Sequence, residues 1–164
     1  MSCVLSLKTI RRISNELRER GESVVLTHGA FDLFHSGHAS LLKESKKLGN
    51  YLIVGVESDE RVQAYKSTSR PIIPLEHRIR ILLENKSVDF VYAIDDPQFE
   101  SSFYSKMYQQ LSPKIVSFGK QFAAKNKVKK EKKLLQNIEF CEILPFNIQY
   151  SNTSQIIEKI RMSQ

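Results

Sequence analysis

Apolar positions recur along this chain in two alternating periods, one helical and one strand-like. Residues 7–20 have the spacing of an amphipathic helix that stops at Gly21. SVVLTH (23–28) is a continuous, β-branched run that suits a strand covered on both faces. A helix over 37–48 closes at Gly49, YLIVGVES (51–58) is a second buried strand, and a helix runs from Asp59 to about Tyr65. KSTSRPIIP (66–74) reads as a loop with a proline at each end of an extended piece. The pattern then predicts helix 75–86, strand DFVYAID (89–95), helix 98–111, strand KIVSF (114–118), helix 123–135, strand IEFCEIL (138–144) and helix 153–163.

Five apolar strands separated by helices predict an α/β fold: a Rossmann-like, doubly wound sheet of five parallel strands with helices on both faces. A single domain over 1–164 is expected, with 1–21 as a leading helix and 152–164 as a closing one. In such sheets ligands sit beyond the carboxyl ends of the strands, where the strand order reverses. Chemistry is therefore to be sought just after each strand.

The segment that follows the first strand is THGAFDLFHSGHASLL (27–42). His35 and His38 bracket Ser36 and Gly37 where a helix begins, and a helix start offers unpaired N–H groups and a positive dipole end to an anion. Glycine at 37 leaves room for a phosphate against the backbone. The spacing of three puts both imidazoles on one edge of the first turn. Such a pair can donate hydrogen bonds to phosphate oxygens, although a single histidine there is ordinarily a cap or a surface residue. Zinc lacks a third ligand nearby.

Gly29, Phe31, Asp32, His35, Gly37 and His38 stand at fixed offsets, and this string resembles the signature of the cytidylyltransferase-like nucleotidyltransferases. LLKESKKLGNYLIVGVESDERV (41–62) and RPIIPLEHRIRILLENKSVDFV (70–91) are similar to stretches of glycerol-3-phosphate cytidylyltransferases and heptose-phosphate adenylyltransferases. NTSQIIEKI (152–160) resembles the segment that opens their last helix, and the opening helix looks more like the heptose-phosphate group.

The resemblance implies that His35 and His38 contact the α- and β-phosphates of a nucleoside triphosphate. It puts Thr27 and Asp32 at nucleotide-pocket and motif-fixing positions, and Lys46 and Lys66 at basic positions facing phosphate. Arg78, in Glu-His-Arg, would bind phosphate or pin the motif to Asp32. Thr153 and Ser154 would cap the last helix where it meets the triphosphate. The implied reaction moves AMP or CMP from ATP or CTP to a phosphorylated sugar or polyol, with Mg²⁺ on the triphosphate. A homodimer is implied too. The acceptor phosphate is already ionised at neutral pH, which agrees with the lack of a buried-looking carboxylate pair or Ser-His-Asp set.

The chain departs from that family in places. Phe118-Gly119-Lys120-Gln121-Phe122 replaces Lys-Gly-Gly-Asp-Tyr, and no Lys or Arg lies between Lys133 and Lys159. His28 and Ala30 replace more usual residues. The first two changes bear on base and acceptor, and they leave open a nucleotide-binding module without turnover. Lys120 is the nearest substitute cation in sequence.

Composition narrows the alternatives. Of the formal charge of +7, most sits in residues 120–133, where seven lysines face one acid, Glu131. Such a run is ordinarily a solvated helix face. An RNA-binding reading would use it, but no aromatic stacking surface interleaves with the lysines. The longest apolar run, Tyr51 to Val56, is strand-sized, so no membrane span is expected. No secretory signal is apparent, and Cys3 and Cys141 have no metal or redox spacing, which points to a cytoplasmic chain with reduced thiols.

Overall fold

The computed structural model describes residues 5–95, 102–119, 132–144 and 153–163. The elements are α1 (Leu7–Glu19), β1 (Val24–Gly29), α2 (Ser36–Lys46), β2 (Tyr51–Glu57), α3 (Asp59–Tyr65) and α4 (Leu75–Leu83). They continue with β3 (Phe90–Ile94), α5 (Phe103–Leu111), β4 (Ile115–Gly119), β5 (Glu139–Ile143) and α6 (Thr153–Met162). Boundaries agree with the periodicity to within a few residues. The starts of the expected helices 98–111 and 123–135 lie outside the described residues.

All five strands are parallel, in the order β3-β2-β1-β4-β5. The order reverses between β1 and β4, so a crevice opens beyond the ends of these two strands. Alternation along β1 sends Val25 to one face and Leu26 to the other. Leu26, Ile53, Tyr92 and Val116 pack with Ile10 of α1 and Met107, Tyr108 and Leu111 of α5. Val25, Leu52, Val54, Val91 and Ile115 pack with Leu42 of α2 and Ile79 and Leu82 of α4. Two-sided cover explains why these strands read as unbroken apolar runs.

Local chemistry ends the elements where the sequence indicated. Ser6 accepts the N–H of Thr9 to start α1, and Ser58 accepts that of Arg61 to start α3. Gly21 adopts φ 81° just past α1, where a side chain would be strained. Gly55 is required by packing instead. A Cβ there would lie 2.7 Å from Ile94 Cδ1 and 2.9 Å from the Tyr92 hydroxyl. Ser45 on α2 and Ser117 on β4 are both buried and share a 2.8 Å hydrogen bond, which seats α2 close to the sheet. Cys141 is a half-buried free thiol on β5, and Cys3 lies outside the described residues.

Candidate functional site at the carboxyl edge of the sheet

The β1–α2 turn carries the chemistry. Phe31 and Leu33 take left-handed conformations, φ 50° and 46°, which costs a non-glycine residue about 1–3 kcal/mol each. Between them lies Asp32, whose carboxylate is wholly enclosed and accepts four hydrogen bonds. Ile73 N donates to Oδ1 at 2.9 Å, Ile72 N to both oxygens at 3.0 Å, and Arg70 Nε to Oδ2 at 2.8 Å. Arg70 Nη2 completes an ion pair at 2.6 Å. Burial alone would raise the Asp32 pKa, but the two backbone N–H groups and Arg70 outweigh it and hold the pKa below the ordinary value. Asp32 is thus an anionic anchor for residues 70–73.

His35 is the N-cap of α2. Its Nδ1 accepts Gly37 N at 3.1 Å and His38 N at 3.3 Å. The accepting nitrogen cannot carry the proton, so Nε2 does, and His35 is left with one outward donor. Its half-burial lowers its pKa. His38 stacks on His35 with ring centroids 3.8 Å apart and touches the rings of Phe31 and Phe34. Burial first, then the charges of His35 and Lys66, press its pKa down to about 3 against a small upward pull from Asp32. Both imidazoles are therefore neutral N–H donors at physiological pH.

This geometry changes one expectation. The free N–H groups of the helix start were to meet an anion directly, but His35 Nδ1 occupies those of Gly37 and His38. The imidazoles, rather than the peptide groups at 37 and 38, are the donors this turn keeps uncommitted to the helix start.

Thr27 lies on β1 opposite Val54 and is fully buried. Among the described residues, neither Thr27 Oγ1 nor His38 Nδ1, both buried, has a hydrogen-bond partner. Gly29 ends β1, and a Cβ there would make only ordinary contact with Phe31. Thr153 is the first residue of α6, and its hydroxyl donates to the carbonyl of Asp32 at 2.8 Å. The hydroxyl is thus committed to the motif turn, while Ser154 beside it is exposed. Lys66 follows α3, is exposed, and lies near enough for its charge to act on His38.

Two residues named from the family pattern stand elsewhere. Lys46 is at the far end of α2, bonded at 2.5 Å to both Asn50 O and Asp89 Oδ2. Those partners immediately precede β2 and β3, so Lys46 belongs to the amino edge of the sheet and not to the phosphate site. Arg78 is buried and makes four hydrogen bonds within the fold. It donates to the carbonyls of Ile73 (2.9 Å), Ala30 and Glu57 (2.8 Å) and pairs with Asp59 at 2.6 Å. It pins the turn, but through these groups, while Asp32 is held by Arg70. These contacts commit most of the Arg78 guanidinium to the fold. Lys120, Gln121 and Phe122, like most of the lysine run, lie outside the described residues.

Sequence reasoning misses two features. Arg70, at the head of RPIIP, is indistinguishable by pattern from the rest of its loop. Glu57 is a buried carboxylate at the end of β2 that accepts the hydroxyls of Tyr65 and Tyr104. It is a second buried acid besides Asp32, where none was expected. His28 stacks on Tyr104 at 4.5 Å and bonds Tyr108 at 2.6 Å, on the α5 face. An acid closing an apolar strand, followed by tyrosines four apart on a later packed helix, is the signal that could have indicated this cluster.

Known proteins resemble this chain in sequence and fold. The cytidylyltransferase-like family matches residues 26–159, most of the chain. The bifunctional protein HldE of Desulfatibacillum aliphaticivorans is 35% identical over 113 residues, 69% of this chain and 22% of that protein. HldE of Actinobacillus pleuropneumoniae serotype 5b (strain L20) is 42% identical over 97 residues, 58% of this chain and 20% of that protein. The chain thus spans about a fifth of the length of these curated relatives. A lipopolysaccharide core biosynthesis protein from Thermoplasma volcanium superposes with a TM-score of 0.64 at 28% identity, covering 77% of this chain and all of that one. Pantothenate synthetase from Thermus thermophilus has a TM-score of 0.64 at 15% identity, over 86% of this chain and 60% of that one, a likeness of fold alone. With the strand order, the His35–His38 pair and a match from β1 to α6, the chain belongs to the cytidylyltransferase-like family of nucleotidyltransferases.

Proposed function

We propose that this chain transfers AMP or CMP from ATP or CTP to a phosphorylated sugar or polyol and releases pyrophosphate. The observation that carries the reading is the stacked, neutral His35–His38 pair at the ligand edge of the sheet. A phosphate oxygen of the acceptor attacks the α-phosphorus, a new P–O bond forms, and the bond to the β-phosphate oxygen breaks. Charge grows on the oxygens around the α-phosphorus and on the leaving pyrophosphate. The outward Nε2–H of His35 is a fixed donor for those oxygens, and Lys66 supplies positive charge beside His38. Preorganised donors of this kind stabilise a transition state without reorganising during the reaction.

The acceptor class rests on likeness. HldE matches over 113 residues of the chain, and a solved relative is described as a lipopolysaccharide core biosynthesis protein. An activated sugar or polyol is the product such a role would require. Mg²⁺ belongs to the proposal as the counterion of the triphosphate. Among the described residues no three histidines, cysteines or carboxylates gather as a metal site, and Asp32 is committed to its own donors. The phosphates themselves would hold the ion. A homodimer is part of the same proposal, and light scattering tests it.

Pyrophosphate release, measured with the four nucleoside triphosphates against a panel of sugar and polyol phosphates, tests the activity. Turnover with one triphosphate and one acceptor class is expected. Tight triphosphate binding without turnover on any acceptor would favour a binding module instead. Salt-sensitive RNA binding without turnover would favour the lysine patch.

A further inference from the structure

The segment from Lys66 to Pro74 joins the end of α3 to the start of α4 along the ligand edge. Its first residue is held by the helix, since Lys66 N donates to Val62 O at 3.0 Å. A tight turn follows. Arg70 N donates to Ser67 O at 3.0 Å, and the hydroxyls of Ser67 and Ser69 are 3.0 Å apart. The far side of the turn is tied down by Arg70, whose side chain is only 11% exposed, and by Ile72 N and Ile73 N, all on Asp32.

Arg70 therefore stands between the cation and the anchor. On one side its backbone N–H closes the 67–70 turn that directly follows Lys66. On the other its guanidinium meets one oxygen of Asp32, Oδ2, through an Nε hydrogen bond at 2.8 Å and an Nη2 ion-pair contact at 2.6 Å. Asp32 sits in the turn that presents His35 and His38. Arg78 does not duplicate the contact, because its donors go to Ala30, Ile73, Glu57 and Asp59.

We propose that Arg70 is a positioning residue that, through Asp32, sets Lys66 against the His35–His38 pair so that all three meet one triphosphate. The inference deepens the proposed function and rests on it only for the identity of the ligand. The charge of Lys66 already acts on His38 across the turn. Arg70 itself does not need to touch the substrate.

A double-mutant cycle tests this, using wild type, Lys66→Ala, Arg70→Ala and the double variant. Each is assayed for kcat/KM and for the Kd of Mg²⁺-bound ATP and CTP. Misplacing a group by about an ångström costs up to ~100-fold, so each single variant should lose about 10- to 100-fold in kcat/KM. If Arg70 acts by placing Lys66, the double variant should be no more than about 2-fold worse than the poorer single variant. Guanidinium at low millimolar concentration should restore part of the Arg70→Ala loss and none of the loss in the double variant. Should Arg70→Ala fail to fold, Arg70→Lys carries the same cycle, because an ammonium keeps the charge but lacks the Nε donor bonded to Asp32.

Losses that multiply, or an Arg70→Ala enzyme within about 2-fold of wild type, would overturn the inference while leaving nucleotidyl transfer intact. A wild-type protein that binds triphosphate without turnover would sink the transfer reading alone, and the cycle on Kd would still decide the role of Arg70. Failure of wild type to bind either triphosphate would overturn both.

Discussion

Thr153 Oγ1 donates a 2.8 Å hydrogen bond to the backbone carbonyl of Asp32, joining residues 121 positions apart in sequence. The last helix is thereby docked on the turn that carries the histidines. The side chain of Asp32 gathers residues 70–73, and its backbone receives α6. One residue thus ties three distant segments together at the ligand edge.

The histidines have the most direct test. His35→Ala removes a donor and also the cap that occupies Gly37 N and His38 N, whereas His38→Ala removes a stacked ring. Losing a preorganised donor costs roughly 10²- to 10³-fold in rate, and each variant should lose at least that in kcat while remaining folded by circular dichroism. Wild-type rates in both would remove the pair from the chemistry.

Acid should destabilise the protein earlier than its carboxylates alone require. The pKa of His38 is about 3 in the folded protein and an ordinary 6.5 when unfolded, so between those values only the unfolded chain takes up the proton. Stability is full above 6.5 and declines as pH falls, by at most about 1.4 kcal/mol per pH unit from this group. His35 acts in the same direction. Asp32, with its depressed pKa, adds its own loss only at lower pH, once its unfolded form protonates near 3.8. Urea midpoints should fall from pH 6.5 to 4.5 in wild type and less steeply in His38→Asn. NMR should show no titration of the His38 ring between pH 5 and 8, and a midpoint near 6.5 would contradict the burial argument.

Arg78 should prove a stability residue. Arg78→Met leaves three carbonyls and Asp59 without their donor, and breaking a buried ion pair typically costs about 3–5 kcal/mol. Urea denaturation should record a loss of that size. A variant of wild-type stability with weakened triphosphate binding would support a phosphate role instead.

Lys46 and Lys66 should part company. At the amino edge, Lys46→Ala should leave kcat/KM within about 2-fold and cost about 1 kcal/mol, as a partly exposed ion pair does. Steady-state kinetics of the two variants side by side check the assignment. Equal losses would mean that α2 does not run from the ligand edge to the opposite one.

The strands were legible because both faces of the sheet are covered, so each strand is an unbroken apolar run such as Tyr51–Val56. The histidines were legible because their offsets after a buried strand are short and local. Arg70, Arg78 and Lys46 were harder for one shared reason. An arginine or lysine looks the same in sequence whether it faces phosphate, a carbonyl or an acid, and only the fold decides. Pairing Arg70 with Asp32 spans 38 positions, and placing Lys46 requires knowing that an eleven-residue helix carries it away from the site. Glu57 was hidden by its own neighbours, since a terminal acid on a strand is ordinarily solvated, and the two tyrosines that enclose it come from α3 and α5.

Phe31 and Leu33 hold left-handed backbone where glycine would rest without cost. Phe31 is nevertheless buried, with its ring 5.2 Å from that of His38. At this position the strained backbone is held in place by its own side chain. Phe31→Gly would relax the main chain by about 1–3 kcal/mol but empty a buried aromatic site, which typically costs about 3–5 kcal/mol. Stability and the wall of the imidazole are thus lost together, so a programme to toughen this protein must hold the turn fixed and seek its gains elsewhere.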